Sequence, residues 1–251
     1  MKSKPRRKSN PLVTPVLPKT GVEMPWPEGE RHFFVLAREG LFRCRQHEFF
    51  RSCVKAENGP SELASQRPFF EPRFPEIPAA IVEQAVGFFS RIAEIHGSEA
   101  AALLVWDRAE RRVRLVVPRQ TATMGGSTPA WRYPVGVHYD PPADLPEEWV
   151  VFGDIHCHVG YAAYASHTDI EDELHSAGLH IVVGRISDEP PEFHVEAVVD
   201  GQRFVLEPDS VMGGYERRRT NVPKRWIERV EIEQYKWRTY APSVATAYEV
   251  S

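Results

Sequence analysis

No stretch of the chain approaches the roughly 18 consecutive apolar residues that a membrane-spanning helix needs, and the first residues lack the apolar core of a secretory signal. Cysteine is scarce. Cys44, Cys53 and Cys157 are odd in number and widely spaced, which argues against a disulfide framework and for a reducing compartment, so a cytoplasmic location is expected. An excess of positive charge is also missing. The 31 Lys and Arg residues face 35 Asp and Glu, a formal net charge of −4, which argues against nucleic-acid binding by the chain as a whole. What is present is 42% hydrophobic residues in 251, enough for one large domain with a full core and room for extensions.

The ends are read by composition. Lys2, Lys4, Arg6, Arg7 and Lys8 precede prolines at 11, 15, 18, 25 and 27, so residues 1–30 are expected as a disordered basic, proline-rich tail. Phe33 to Ala37, Gly40 to Cys44 and Phe49-Phe50 suggest a small strand-rich unit over 31–75, ended by the four prolines between Pro68 and Pro78. A main domain over 76–212 and an extension over 213–251 complete the division. In the extension Val230 and Ile232 alternate with charges as in an edge strand, with a short helix nearly as good a reading.

Within 76–212 an amphipathic stretch from Ile77 to Ile95 predicts a helix, followed by strands over Ala101 to Trp106 and Val113 to Val117. Thr121 to Pro129, with Gly125-Gly126-Ser127-Thr128, is expected as a flexible loop, too short and unanchored to cradle a phosphate. Further strands are expected over 180–185, 193–199 and 203–206, the last two joined in a hairpin at Asp200-Gly201. The alternation points to an α/β fold, a mixed sheet covered by helices on both faces.

The most informative run is Gly153 to Asp169. Trp149-Val150-Val151-Phe152 leads as a strand into His156-Cys157-His158, and side chains alternate faces, so the two histidines share a face and Cys157 points away. Ser166 and Asp169 fit the N-cap and third position of a new helix that stops near Gly178. A helix starting beside the strand end would bring Asp169 to the imidazoles. Ser-x-x-Asp alone is an ordinary capping pattern and His-x-His alone is weak. Together they supply His156, His158 and Asp169, the number of protein ligands for a catalytic zinc that keeps one position open. His138, His167, His175, His180 and His194 are left outside this shell, with His167 turned to solvent.

His-x-His, seven residues, Ser-x-x-Asp resembles the JAMM signature of the JAB/MPN metalloprotease family at each defining position. That family carries a glutamate upstream in a segment like Glu-x-x-Gly-x-Leu, after its first long helix. Here Glu99-Ala100-Ala101-Ala102-Leu103-Leu104 occupies that place, with Ala102 for glycine; Cys157 stands where serine or threonine is usual. The resemblance implies a JAB/MPN, cytidine deaminase-like fold over about 77–212, bound Zn2+, Glu99 as general base and Ser166 as oxyanion donor. It implies cleavage after the C-terminus of a ubiquitin-like protein, with that protein and its conjugates as partners. Gly178 to Gly184 looks more like the bacterial branch, whose members accompany ubiquitin-like conjugation operons, some antiviral. Two other readings stay open: a silent scaffold that binds a ubiquitin-like protein, and a metallohydrolase of another substrate class.

Overall fold

The computed structural model describes residues 14–128, 131–140, 142–174 and 176–235. The basic residues between Lys2 and Lys8, His175 and residues 236–251 of the expected extension lie outside them. The chain divides into two units between Phe69 and Phe70, six residues before the boundary expected from the prolines.

The first unit is a four-stranded sheet in the order β1-β2-β3-β4, from β1 (Val16–Pro18), β2 (His32–Ala37), β3 (Gly40–Gln46) and β4 (Arg51–Lys55). Alternation puts Phe33 and Val35 of β2 on one face with Cys44 of β3, all buried, and Leu17, Met24, Trp26 and Phe42 pack on them. Strand β1 runs parallel to β2, with Leu17 opposite Val35. From residue 14 onward the segment expected as a tail therefore includes a strand, recruited because Leu17 and Trp26 cover a core too small to close alone.

The second unit carries helix α1 (Ala79–His96) and strands β5 (Ala101–Asp107), β6 (Arg112–Val116), β7 (Gln120–Thr128), β8 (Trp131–Tyr139) and β9 (Trp149–Cys157). Helix α2 (His167–Glu173), β10 (Gly178–Gly184), β11 (Glu192–Val199), β12 (Gln202–Leu206), α3 (Lys224–Ile227) and β13 (Val230–Gln234) follow. Six strands form a mixed sheet in the order β12-β11-β10-β9-β5-β6, with only β9 and β10 parallel; a second sheet has the order β13-β7-β8. The apolar stripe Val82, Val86, Phe89 and Ile92 of α1 packs in one core cluster with Ala102, Leu104, Ile155, Cys157, Leu179 and Ile181 of the sheet. Gly97, at φ 68°, stops α1 by returning its N–H to the Ala93 carbonyl at 2.9 Å.

Three expectations change here. The single long helix among the described residues is α1, and groups from β8 and the seven-residue α2 join those of the other sheet face around a cavity, so the unit is richer in strand than helices on both faces would give. Residues 120–128 are a strand, not a flexible loop. A Cβ on Gly125 would lie 2.4 Å from the Tyr133 ring, and one on Gly126 would lie 1.8 Å from the Trp131 carbonyl oxygen. These glycines permit close cross-strand approach. Residues 213–235 are also integral: Trp226 packs edge-on to Phe88 at 5.8 Å, and β13 is the parallel partner of β7. No helix among the described residues is long and apolar enough to cross a membrane.

Candidate metal centre

Strand β9 presents Asp154 and His156 on one face while Ile155 and Cys157 enter the core on the other. His156 lies opposite Ala101 of β5 and Val182 of β10, near the centre of the sheet, so its ring is fixed from both sides and only 6% exposed. His158, just beyond the strand, donates its backbone N–H to the Val183 carbonyl at 2.9 Å and is 4% exposed.

The chain then returns as α2. Ser166 is its N-cap: the Ser166 hydroxyl oxygen accepts the Asp169 N–H at 3.2 Å, and Asp169 Oδ2 accepts the Ser166 N–H at 2.7 Å. This reciprocal box fixes the Asp169 rotamer. It also aims the carboxylate at the histidines, with Oδ1 3.5 Å from His156 Nε2 and Oδ2 3.3 Å from His158 Nε2; the two Nε2 atoms are 3.3 Å apart.

The three side chains thus form a compact triangle in which the carboxylate faces the two rings through different oxygens. For ligand bonds of about 2.0–2.1 Å, tetrahedral geometry places any two ligand atoms about 3.3–3.4 Å apart. The separation of the two Nε2 atoms matches that value, and with one oxygen of Asp169 the three residues could hold a metal ion.

Without a metal the triangle is electrostatically loaded. Burial opposes charge on His156, but Asp154 and Asp169 more than offset it and push the imidazole up to about 10. Asp154 is held down at about 2, its histidine partners overcoming burial, and Asp169 is driven well below the usual carboxylate range for the same reason. Glu99 comes into electrostatic range of all three ligands because Ala101 pairs with His156 and the Ala100 carbonyl accepts the Cys157 N–H. Its carboxyl is 9% exposed and raised, first by burial and then by Asp169, with His158 and His156 acting in the opposite sense.

Behind the triangle lies a polar network. Asp154 Oδ1 is 3.7 Å from His156 Nδ1, an ion-pair contact longer than a hydrogen bond, and Oδ2 meets His180 Nδ1 at 2.7 Å. His180 also faces the Ser176 carbonyl and Glu173, and Glu173 accepts from Arg203 at 2.6 Å. Asp154, His156 and Glu173 could form a second ligand group, but His180 and Arg203 already neutralise its carboxylates. It is better described as support for His156 and α2. The strict alternation Asp154-x-His156-x-His158 was the available signal for Asp154. His180 and Glu173 gave none, because their contacts depend on the pairing of β10 with β9. His167 is exposed as expected, paired with Glu171, and His194 pairs with Glu196 away from the ligands.

A cavity of about 350 Å³ opens on this face, lined by Val137, His138 and Tyr139 of β8 together with His156, Asp169 and Glu173. A larger cleft of about 740 Å³ at the start of α1 holds none of the ligand groups.

No protein-family model and no curated protein matches the chain. Among solved structures it is similar to AF2198, a JAB1/MPN domain protein from Archaeoglobus fulgidus, at 19% identity over 53% of this chain and 96% of that one, with a TM-score of 0.32. It is also similar to protein DSY2949 from Desulfitobacterium hafniense, at 13% identity over 58% and 94% of the two chains, with a TM-score of 0.37. Likeness at this level assigns no function.

Proposed function

We propose that the chain is a zinc-dependent peptidase or isopeptidase that cleaves after the C-terminus of a ubiquitin-like protein, in deconjugation or precursor maturation. The triangle of His156, His158 and Asp169 beside a buried Glu99 carries this reading. Two neutral imidazoles and one carboxylate suit zinc and leave room for substrate, and the ion would supply Lewis acidity at the scissile carbonyl. Glu99 takes a proton from the attacking water as the new C–O bond forms, and delivers it to the amine as the C–N bond breaks. Ser166 keeps its hydroxyl proton for the carbonyl oxygen as that oxygen gains charge, since the hydroxyl serves the α2 cap only as an acceptor.

The ubiquitin-like part of the reading rests on the JAMM-like spacing and on β8. This strand is an edge in the order β13-β7-β8, and its Val137 and Tyr139 line the cavity beside the ligands. An extended tail added along β8 would reach the metal through backbone hydrogen bonds. The resemblance to the bacterial branch makes a ubiquitin-like conjugation operon, including an antiviral one, the setting proposed for the enzyme.

The test is cleavage of ubiquitin-like proteins fused at their C-termini to a fluorogenic amine, with zinc measured per chain. Zinc-dependent release that disappears on Glu99→Gln supports the proposal. Binding of the fusion without release at full zinc occupancy would leave the scaffold reading, and hydrolysis of unrelated esters or amides alone would leave the broader metallohydrolase.

A further inference from the structure

Cys44 and Cys53, nine positions apart and unremarkable as a pair in the sequence, face each other across the β3–β4 hairpin. The hydrogen-bond pattern fixes what kind of pair they are. His47 donates its N–H to the Phe50 carbonyl at one end of the ladder, and Ala56 donates to the Leu41 carbonyl at the other. In an antiparallel ladder hydrogen-bonded and non-hydrogen-bonded pairs alternate, so the bonded pairs fall at positions 47, 45, 43 and 41 of the first strand and Cys44–Cys53 is non-bonded. Opposed Cα atoms at such a pair are about 4.5 Å apart with both side chains on one face. That spacing lies inside the window of about 4.4–6.8 Å over which a disulfide forms without backbone movement.

The two thiols differ in a useful way. Cys44 is fully buried among Phe33 and Val35, and its thiol is pushed up to about 12, by burial first and then by the adjacent Cys53 sulfur. Cys53 is exposed on the edge strand. One sulfur is open to a reagent and its neighbour is buried behind it. Cys157, buried in β9 of the other unit, is an internal control.

We propose that Cys44 and Cys53 are a redox-responsive pair that closes to a cross-strand disulfide when the protein meets a low-molecular-weight disulfide such as oxidised glutathione. The Cys53 thiolate attacks one sulfur of the small disulfide, giving a mixed disulfide and one thiolate. Cys44 loses its proton to solvent, its sulfur attacks the Cys53 sulfur, and the second thiolate leaves. Two protein thiols thus give up two electrons and two protons, and one small disulfide becomes two small thiols. Because Cys44 is buried, the second step is the slow one and the Cys53 adduct accumulates before closure. Closure ties the edge strand β4, largely exposed along its length, to β3.

The experiment equilibrates the full chain in glutathione buffers of graded ratio, quenches with acid, alkylates and digests with trypsin. Cleavage after Arg43, Arg45, Arg51 and Lys55 leaves Cys44–Arg45 and Ser52–Lys55 as separate peptides unless a disulfide joins them. The expected result is the joined pair, loss of two of three alkylatable thiols, and hydrogen exchange over residues 51–55 slowed ~10-fold or more. Cys53→Ser, a change at an exposed position, should keep both remaining thiols free, whereas Cys44→Ser should stop at the Cys53 adduct. A wild-type protein that stops at that adduct, or links between chains instead, overturns the proposal.

Discussion

Asp169 Oδ2 is shared between the Ser166 N–H at 2.7 Å and His158 at 3.3 Å, and Oδ1 is left to His156. Helix capping and the proposed ligation would therefore use one carboxylate, which makes the roles of neighbouring residues separable by mutation. Glu99→Ala is expected to keep zinc and lose ~10²–10⁴-fold in turnover, the usual contribution of a general base; wild-type turnover in that variant would remove Glu99 from the mechanism. Ser166→Ala removes only the hydroxyl half of the box, because the backbone N–H still holds Asp169. It should retain zinc, lose ~10²–10³-fold in kcat, and lower stability by about 1 kcal/mol from the missing cap. The pH dependence follows from His156. Its folded pKa, about 10, lies above the ordinary 6.5, so in the metal-free protein its pairing stabilises fully below pH 6.5 and is lost as pH rises through 10. Zinc needs the same ring neutral. Zinc affinity should therefore rise with pH from 6 to 9 while metal-free Tm falls over that interval; a pH-independent affinity in competition titrations would contradict this assignment.

At the scale of elements, Asp169 and Glu173 are four residues apart and so share one face of α2. The first reaches the ligand triangle and the second is held by Arg203 and His180, so the network anchors the helix that delivers the ligand. Glu173→Gln should weaken zinc binding ~10–100-fold, the usual effect of losing support behind a ligand, with the circular dichroism spectrum preserved. Unchanged zinc affinity alongside a lowered Tm would show that the network only stabilises the fold. The cap at Ser166 was legible because its two contacts are local, and the Asp200-Gly201 hairpin because both residues take positive φ, 49° and 73°. Strand β7 was not legible. Gly125 and Gly126 read as loop residues, and the reason for them, the backbone and ring of β8 pressed against them, exists only once the sheet is paired. Helix α2 was expected but ends at Glu173, short of Gly178, and the row Asp154–His180 was hidden because it depends on contacts more than 20 residues apart.

For the whole molecule, the same non-locality explains the missed extent of the second unit. Strand β13 finds its partner in β7, over a hundred residues earlier, so reading β7 as a loop left β13 without a sheet to join. The assembled unit is acidic, with 28 Asp and Glu against 18 Lys and Arg over residues 70–251, and Asp154, Asp169, Asp172 and Glu173 lie around the cavity. Under the proposed function an extended tail held by strand addition along the edge of β8 would be drawn in by the net negative charge of the unit if the tail is basic. Under that proposal most of the affinity would come from a folded body docked outside the cavity, because a short flexible peptide loses its own conformational entropy on becoming a strand. The expectation is that a ubiquitin-like fusion is cleaved with kcat/KM far above that of a free peptide with the same C-terminal sequence. The advantage should shrink as salt rises from low to physiological strength, where charges are screened beyond about 8 Å. Equal kcat/KM for the two substrates at every salt concentration would mean that no folded partner is recognised, and would assign the metal centre to a general peptidase.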